Sequence, residues 1–390
     1  MSQHDHNRWG YLAPTLFYSA IAQNLSRSPA ILAKLQIKNL GWIDAQYGSE
    51  AVEETVDLVR NSLRTIPHAV ILGGISTSLY GVLITGKVDA AILADEFKTL
   101  IGQINHQYGR RFLIEIAVGI VEANPTVSKD EKYWTTLANL ALAESTRSAK
   151  PEIFSPEMLL REQVRNIIGR WTDRQSAPAG IYWVYQPVVD SNSRETVGFE
   201  ALIRWNLEGV GPVSPEVFIP IAENMGVIHL IDSWTVSAVV EAAAKNETLR
   251  NQAVGINISG RTLSESPGFA DFVLKTLKKR KVPAENLIVE LTETAIINDL
   301  NQVKQQFLVL AEGGVRLSID DFGKGVTNLF TIASLPVAFI KLDHSLLHFD
   351  DDRLATSMLN IAASLGKSIG ARVLAEGVET ETDLALVKAA

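Results

Sequence analysis

Short apolar runs recur along the whole chain, some at strand spacing and some at helical spacing. In the first half, residues 30–37, 68–75, 79–85 and 110–121 read as strands, while 49–63, 91–108 and 132–148 carry apolar residues every three to four positions and read as helices. The order β-α-β-β-α-β predicts a ferredoxin-like α+β domain with helices on one face of its sheet. Residues 157–171 form an amphipathic helical pattern leading out of it, followed by a polar stretch over 172–180. The boundary is therefore expected near residue 155, giving domains 1–155 and 156–390.

The second half has a different rhythm. Apolar, β-rich runs at 197–204, 254–259, 287–293, 315–321, 337–343 and 372–376 each end on a polar residue, and each is followed by a segment of helix length. Strands alternating with helices imply a parallel sheet with helical crossovers. The polar ends fall at Glu200, Asn257, Glu290, Asp320, Lys341 and Glu376, in steps of 57, 33, 30, 21 and 35 residues, most of which suit one βα unit. With residues 181–189 as an additional first strand, seven strands can be counted, and a TIM-like βα barrel fits better than an open sheet.

Composition narrows the chemistry. The 390 residues, 46% apolar and 21% charged, include no cysteine, which removes disulfides, thiolate metal sites and cysteine nucleophiles and points to the cytoplasm. No run is long and apolar enough for a membrane span, and the polar N-terminus is unlike a signal peptide. Residues 1–155 carry 14 Lys+Arg against 15 Asp+Glu, and 156–390 carry 22 against 29, so the second half holds −7 of the net −8. A nucleic-acid polymer is excluded as partner by that balance, whereas bound divalent cations fit it. The basic run Lys278 to Lys281 reads as a solvated helix end.

Functional groups of a parallel barrel collect where its strands end. One acid at such a place is ordinarily a helix cap or a solvated loop residue, but here successive strands all offer a polar group at the same end. Glu200, Asn257, Glu290, Asp320 and Asp321 supply hard oxygen ligands suited to Mg2+ or Mn2+, and adjacent aspartates can serve two cations about 3.5–4 Å apart. Lys341 and Glu376 would complete such a site as an orienting cation and a general base. Alternation along β-structure puts Glu200, Leu202 and Arg204 on one face. Other motif matches fail. Asp321-Phe322-Gly323 lacks the partner loops of a kinase, the position five before Gly366 is Ile361 where a phosphate-binding loop needs glycine, and Ser345 stands where a zinc-protease helix would carry glutamate between His344 and His348.

In order along the chain, Tyr185-Gln186-Pro187-Val188-Val189-Asp190, Glu200-Ala201-Leu202-Ile203-Arg204-Trp205, Asn257-Ile258-Ser259, Glu290-Leu291-Thr292-Glu293, Asp320-Asp321-Phe322-Gly323, Lys341-Leu342-Asp343 and Ala375-Glu376-Gly377-Val378-Glu379 resemble the motifs of the EAL family of cyclic di-GMP phosphodiesterases. The resemblance runs from about residue 160 to the chain end. It implies a βα barrel that hydrolyses cyclic di-GMP to linear pGpG with two Mg2+ or Mn2+ ions. It also implies the roles: Glu200, Asn257, Glu290, Asp320 and Asp321 as metal ligands, Glu376 as base for the attacking water, Lys341 as the group orienting that water, and Glu293 as the acid bracing the loop after Asp321. Gln186, Leu202, Arg204, Asp343 and Glu379 match ligand-contacting or mouth-supporting positions, and dimerisation through the barrel is a family-level expectation.

Two departures from the family pattern stand out. Lys324-Gly325-Val326-Thr327-Asn328 replaces the family's usual loop, and the sequence stops at Ala390, before the family's last strand with its Gln-Gly-aromatic motif, so the barrel is expected to be incomplete at its C-terminus. The first domain resembles a degenerate GGDEF domain, with Ser76-Thr77-Ser78-Leu79-Tyr80 at the signature turn and Gln36-Ile37-Lys38 where that family has Asp-x-Asp, the first aspartate binding metal. This implies a regulatory domain without cyclase activity that signals to a protein partner; a ferredoxin-like interaction domain with no nucleotide history is the alternative. A receptor that binds cyclic di-GMP without hydrolysing it, and a barrel phosphoesterase for another substrate, are the competing readings of the second domain.

Overall fold

The computed structural model describes residues 10–25, 28–67, 71–86, 88–108, 111–171, 177–292, 300–323, 332–347 and 352–390. The chain forms two compact units divided between Gln163 and Val164, inside a helix, whereas the sequence pattern sets the boundary at 155.

The first unit contains α1 (Pro14–Leu25), β1 (Ala30–Ile37), α2 (Leu40–Leu63), β2 (Ile71–Gly74), β3 (Leu79–Thr85), α3 (Ala90–Tyr108), β4 (Ile116–Ala123), α4 (Glu131–Ser148) and β5 (Glu152–Ile153), with α5 (Pro156–Ile168) spanning the division. Its sheet has the order β2-β3-β1-β4-β5, with β1 antiparallel to both β3 and β4. Helices pack on both faces, which corrects the expectation of one. Ile31, Ala33 and Leu35 face the side of α2 and α3, where Val59 and Phe97 are buried, while Ala30 and Leu32 face Phe17, Ile21 and Leu25 of α1 and Trp134 of α4. The cause is legible in β1 and β4, which are almost continuously apolar rather than alternating, as strands covered on both faces must be. Phe17 of α1 fits against the sheet because Gly73 and Gly81 lie beneath its ring, where any Cβ would collide.

The second unit begins with β6 (Ile181–Val189), β7 (Thr196–Leu207) and the short β8 (Gly211–Val213), followed by α6 (Pro215–Asn224), α7 (Ile228–Lys245), α8 (Glu247–Asn251), β9 (Ala253–Asn257), α9 (Gly260–Glu265) and α10 (Phe269–Arg280). Then come β10 (Leu287–Thr292), α11 (Leu300–Glu312), β11 (Arg316–Phe322), β12 (Phe339–Leu342), α12 (Asp352–Ile369), β13 (Arg372–Ala375) and α13 (Glu381–Ala389). The sheet path is β13-β12-β11-β10-β9-β7-β6, parallel from β7 to β13, with β8 paired to β7. β6 departs from the expected parallel rhythm and runs antiparallel to β7. The link between them is too short for a crossover: Asp190 accepts hydrogen bonds from the N–H groups of Asn192 and Ser193, and Arg194 takes a left-handed φ of 62°, so the chain reverses as a hairpin.

The sheet curls strongly. Glu200 on β7 and Lys341 on β12 lie four strand steps apart along the path, about 19 Å in a flat sheet at roughly 4.8 Å per step. Their side chains nevertheless meet at 3.0 Å. Outward-facing residues of the strands, such as Ile256, Val289, Leu317 and Ile319, form the core with Val236, Val273 and Phe307 of the surrounding helices. Alternation then leaves the polar residues of the same strands inside the curl.

Candidate active site

Strands β7, β9, β10, β11 and β12 and the end of β13 bring polar groups to the concave side. Glu290 stands level with Asn257 on β9 and with Ser318 on β11, and Asp320 is one inward position further along β11. Lys341 is the penultimate residue of β12, and Glu376 follows β13 with its N–H donating to the carbonyl of Leu342. The Lys341 ammonium contacts four carboxylates: Glu290 and Glu376 at 2.7 Å each, Glu200 at 3.0 Å and Asp320 at 3.2 Å. Asn257 joins them by donating from Nδ2 to Glu200 Oε1 at 2.7 Å.

Asp321 reaches this cluster through a backbone device. Simple alternation would send it to the outer face, away from Asp320. A register shift in the β11–β12 pairing after Ile319, together with a left-handed φ of 56° at Asp321, turns it inward. The result is two acidic groups that share a member: oxygens of Glu200, Glu290 and Asp320 lie within 4.8 Å of one another, and so do oxygens of Asp320, Asp321 and Glu376.

The electrostatics follow from burial. Side-chain exposure rises from 5% at Lys341 and 6% at Glu290, through 12% at Asp320 and 15% at Glu200, to 34% at Glu376, so the cluster is closed at Lys341 and opens at Glu376. Burial pushes the Glu290 carboxyl up to about 8 against the pull of Lys341, and it raises Glu376 as well. Burial also disfavours the Lys341 ammonium, but Glu290, Glu200, Asp320 and Glu376 outweigh it and hold that group above the usual lysine range. One ammonium among four carboxylates leaves a formal −3, all on oxygen donors. Such a set suits hard divalent cations, Mg2+ or Mn2+, and the shared Asp320 suits a pair of them.

Gly255 makes room for this arrangement, since a Cβ there would run into the Glu290 carboxylate, which Lys341 holds in place at 2.7 Å. Gly255→Ala is expected to cost about 1–3 kcal/mol of stability through overpacking, read as a lower denaturant midpoint.

The remaining sequence candidates sit less centrally. Gln186 pairs with Glu200 across the β6–β7 ladder and is exposed. Leu202 and Arg204 follow on β7, with the Arg204 guanidinium donating to the carbonyl of Ile203 at 2.9 Å. Asp343 is buried and caps the turn His344–Leu346, accepting from the N–H of Ser345 at 2.9 Å. Glu379 is exposed and donates its backbone N–H to Asp383. Glu293, residues 324–328 and His348 lie outside the described residues.

An EAL-domain family model matches residues 173–390, more than half of the chain. The chain belongs to the EAL-domain family. A cyclic di-GMP phosphodiesterase of Pseudomonas aeruginosa is 32% identical over 215 residues, 54% of this chain and 36% of that protein. Among solved structures, the phosphodiesterase PaMucR in complex with c-di-GMP is 27% identical with a TM-score of 0.52, covering 58% of this chain and 91% of that one. The S helix-GGDEF-EAL region of LapD from Vibrio cholerae, bound to c-di-GMP, matches with a TM-score of 0.55 over 99% of this chain and 94% of its own, a likeness of fold at 19% identity. The chain spans half or less of the length of the first curated relatives it matches. No helix among the described residues is long and apolar enough to cross a membrane.

Two carboxylates escaped the sequence reading. Asp232, 3% exposed on α7, and Glu223 on α6 lie behind the EAL domain's polar strand ends. The signal was available at Asp232: a lone acid in the otherwise apolar stretch around Ile228, Ile231, Trp234 and Val236.

Proposed function

We propose that the EAL domain hydrolyses cyclic di-GMP to linear pGpG with the help of two divalent cations, Mg2+ or Mn2+. The observation that carries this reading is the pair of acidic groups sharing Asp320, gathered around Lys341 and open to solvent at Glu376. The relatives named above, a cyclic di-GMP phosphodiesterase and a phosphodiesterase holding c-di-GMP, support the choice of substrate.

On this reading Glu200, Asn257, Glu290 and Asp320 hold one cation, and Asp320 with Asp321 holds the other. Bound there, such a pair supplies Lewis acidity at the phosphoryl oxygens and acidifies water. Glu376, the most open of the carboxylates, takes the proton of the attacking water. Lys341, fixed by four contacts, orients that water. One P–O bond of the cyclic dinucleotide breaks, the new P–O bond forms to the water oxygen, and the departing ribose oxygen takes up a proton from solvent at the open side of the site. Gln186, Leu202, Arg204 and Glu379 line or support the mouth, and Asp343 shapes it as a turn cap.

The first unit we read as a ferredoxin-like, degenerate GGDEF domain over residues 1–155, regulatory rather than catalytic. Its strand order supports this, as does Gln36, which stands on β1 where that family has its metal-binding aspartate. The Ser76–Ser78 turn is closed on itself, the Ser76 hydroxyl accepting the N–H groups of Ser78 and Leu79. A protein partner for this unit, homodimerisation through the barrel and a cytoplasmic location complete the proposal.

Incubation with cyclic di-GMP and Mg2+ or Mn2+, followed by chromatography, is expected to yield pGpG, and a chelator is expected to stop it. Tight binding with no product over hours would replace hydrolysis by a receptor function. Hydrolysis of other phosphodiesters without affinity for cyclic di-GMP would keep the chemistry and discard the substrate.

A further inference from the structure

The turn that follows Asn257 is gripped from behind. Ser259 begins α9, its hydroxyl accepting the N–H of Arg261 at 3.2 Å. The same hydroxyl donates to Glu223 Oε1 at 2.7 Å, and the Ser259 N–H donates to Asp232 Oδ2 at 3.1 Å. The Arg261 guanidinium in turn donates to the Glu223 carbonyl. Both carboxylates stand on firmly seated helices. Trp234 of α7 packs edge-on against Trp171 at 5.4 Å between ring centroids, Trp171 against Trp205 at 5.3 Å, and Trp205 against Phe218 of α6 at 5.5 Å. A hydrogen bond from Trp183 on β6 to Thr235 adds a further tie to α7.

A carboxylate in such a place works against stability unless its bonds serve something else. Burial, with the nearby charge of Glu223 adding to it, pushes Asp232 up to about 7. An apolar residue of similar size would fill the same volume without that cost. Both carboxylates accept from Ser259, two residues beyond the amide that touches Glu200, and Asp232 also interacts with Thr262 further along α9.

We propose that Glu223 and Asp232 are positioning residues for Asn257: by clamping Ser259 from two helices they fix the β9–α9 turn, keep the Asn257 amide nitrogen on Glu200, and leave its Oδ1 as the oxygen offered to a divalent cation. This rests on the reading of Asn257 as a cation ligand. The two helices contribute no ligand themselves and act through the turn.

The test measures Mn2+ affinity of the full chain by the spin-resonance signal of free Mn2+, alongside the melting temperature and cyclic di-GMP turnover. Glu223→Ala and Ser259→Ala are each expected to weaken Mn2+ binding about 10–100-fold, the usual effect of removing a group that orients a ligand. Glu223→Gln and Asp232→Asn keep an oxygen that accepts the same hydrogen bond, and both are expected to stay within about threefold of the parent protein. That rescue separates positioning from packing or net charge. Mn2+ affinity unchanged in Glu223→Ala and Ser259→Ala, in a parent protein that binds Mn2+ and hydrolyses cyclic di-GMP, overturns this proposal alone. Equal losses in Glu223→Gln and Glu223→Ala overturn it too, because charge and not the hydrogen bond would then matter. A parent protein that neither binds Mn2+ nor turns over substrate fails the functional reading itself, and the positioning role falls with it.

Discussion

Glu376→Gln is expected to lower turnover of cyclic di-GMP by about 10²–10⁴-fold, the range lost when a positioned general base is removed. Glutamine keeps the shape and the contact distance to Lys341 but cannot take a proton. Glu376 is suited to the part because it is the most open of the four carboxylates around Lys341 and because burial raises its affinity for protons. Turnover and Mn2+ affinity measured on the same preparation check the assignment. If turnover at saturating metal is normal and only Mn2+ affinity falls, Glu376 is a cation ligand, consistent with its place beside Asp320 and Asp321, and another group serves as base.

Lys341→Met should give the largest change in stability. Methionine matches the length of the lysine stem but leaves Glu200, Glu290, Asp320 and Glu376 around a buried site with no cation. Breaking a buried ion pair by removing one partner costs about 3–5 kcal/mol. At roughly 2–4 °C per kcal/mol for a unit of this size, melting in chelator should fall by about 6–20 °C. Excess Mn2+ should narrow the gap, since bound cations would supply the missing positive charge. A fall of under about 2 °C in chelator would show that the four carboxylates do not depend on Lys341 for their neutralisation.

The pH dependence of the metal-free protein carries the same logic. A carboxyl raised in the folded state, as at Glu290 (to about 8) and Asp232 (to about 7), contributes stability that is complete below its unfolded value and is lost as pH rises through the folded one. Lys341, raised in the folded state as well, titrates above this range and keeps its contribution intact throughout. Metal-free melting temperatures should therefore fall between about pH 4 and 8, and more steeply in Lys341→Met. Divalent cations displace the Glu290 proton, so Mn2+ affinity should rise over the same interval.

Much of the site could be read from residue order. Glu200, Asn257, Glu290, Asp320, Lys341 and Glu376 each end an apolar run, and a chain that alternates strands with helices puts such ends at one mouth. Asp321 was legible only as the neighbour of Asp320; that it joins the same cluster depends on the shifted register and the left-handed backbone, which no period of two can express. α1 was missed because Pro14–Leu25 carries a weak apolar stripe whose partner, the pocket over Gly73 and Gly81, is formed by strands more than forty-five residues away. The antiparallel course of β6 depended on turn bonds at Asp190 that a strand pattern does not reveal.

The sequence by itself determined which residues are candidates for the chemistry and in what order their strands arrive, because side-chain type and local periodicity are properties of neighbours along the chain. Only the tertiary structure decided that Lys341 lies among four carboxylates drawn from β7, β10, β11 and the end of β13, and that Asp232 and Glu223 stand behind Asn257. Those contacts join residues 21 to 141 positions apart and arise from the curl of the sheet and the packing of helices on it. Curl and packing are set by the whole unit at once, so no stretch of sequence encodes them alone.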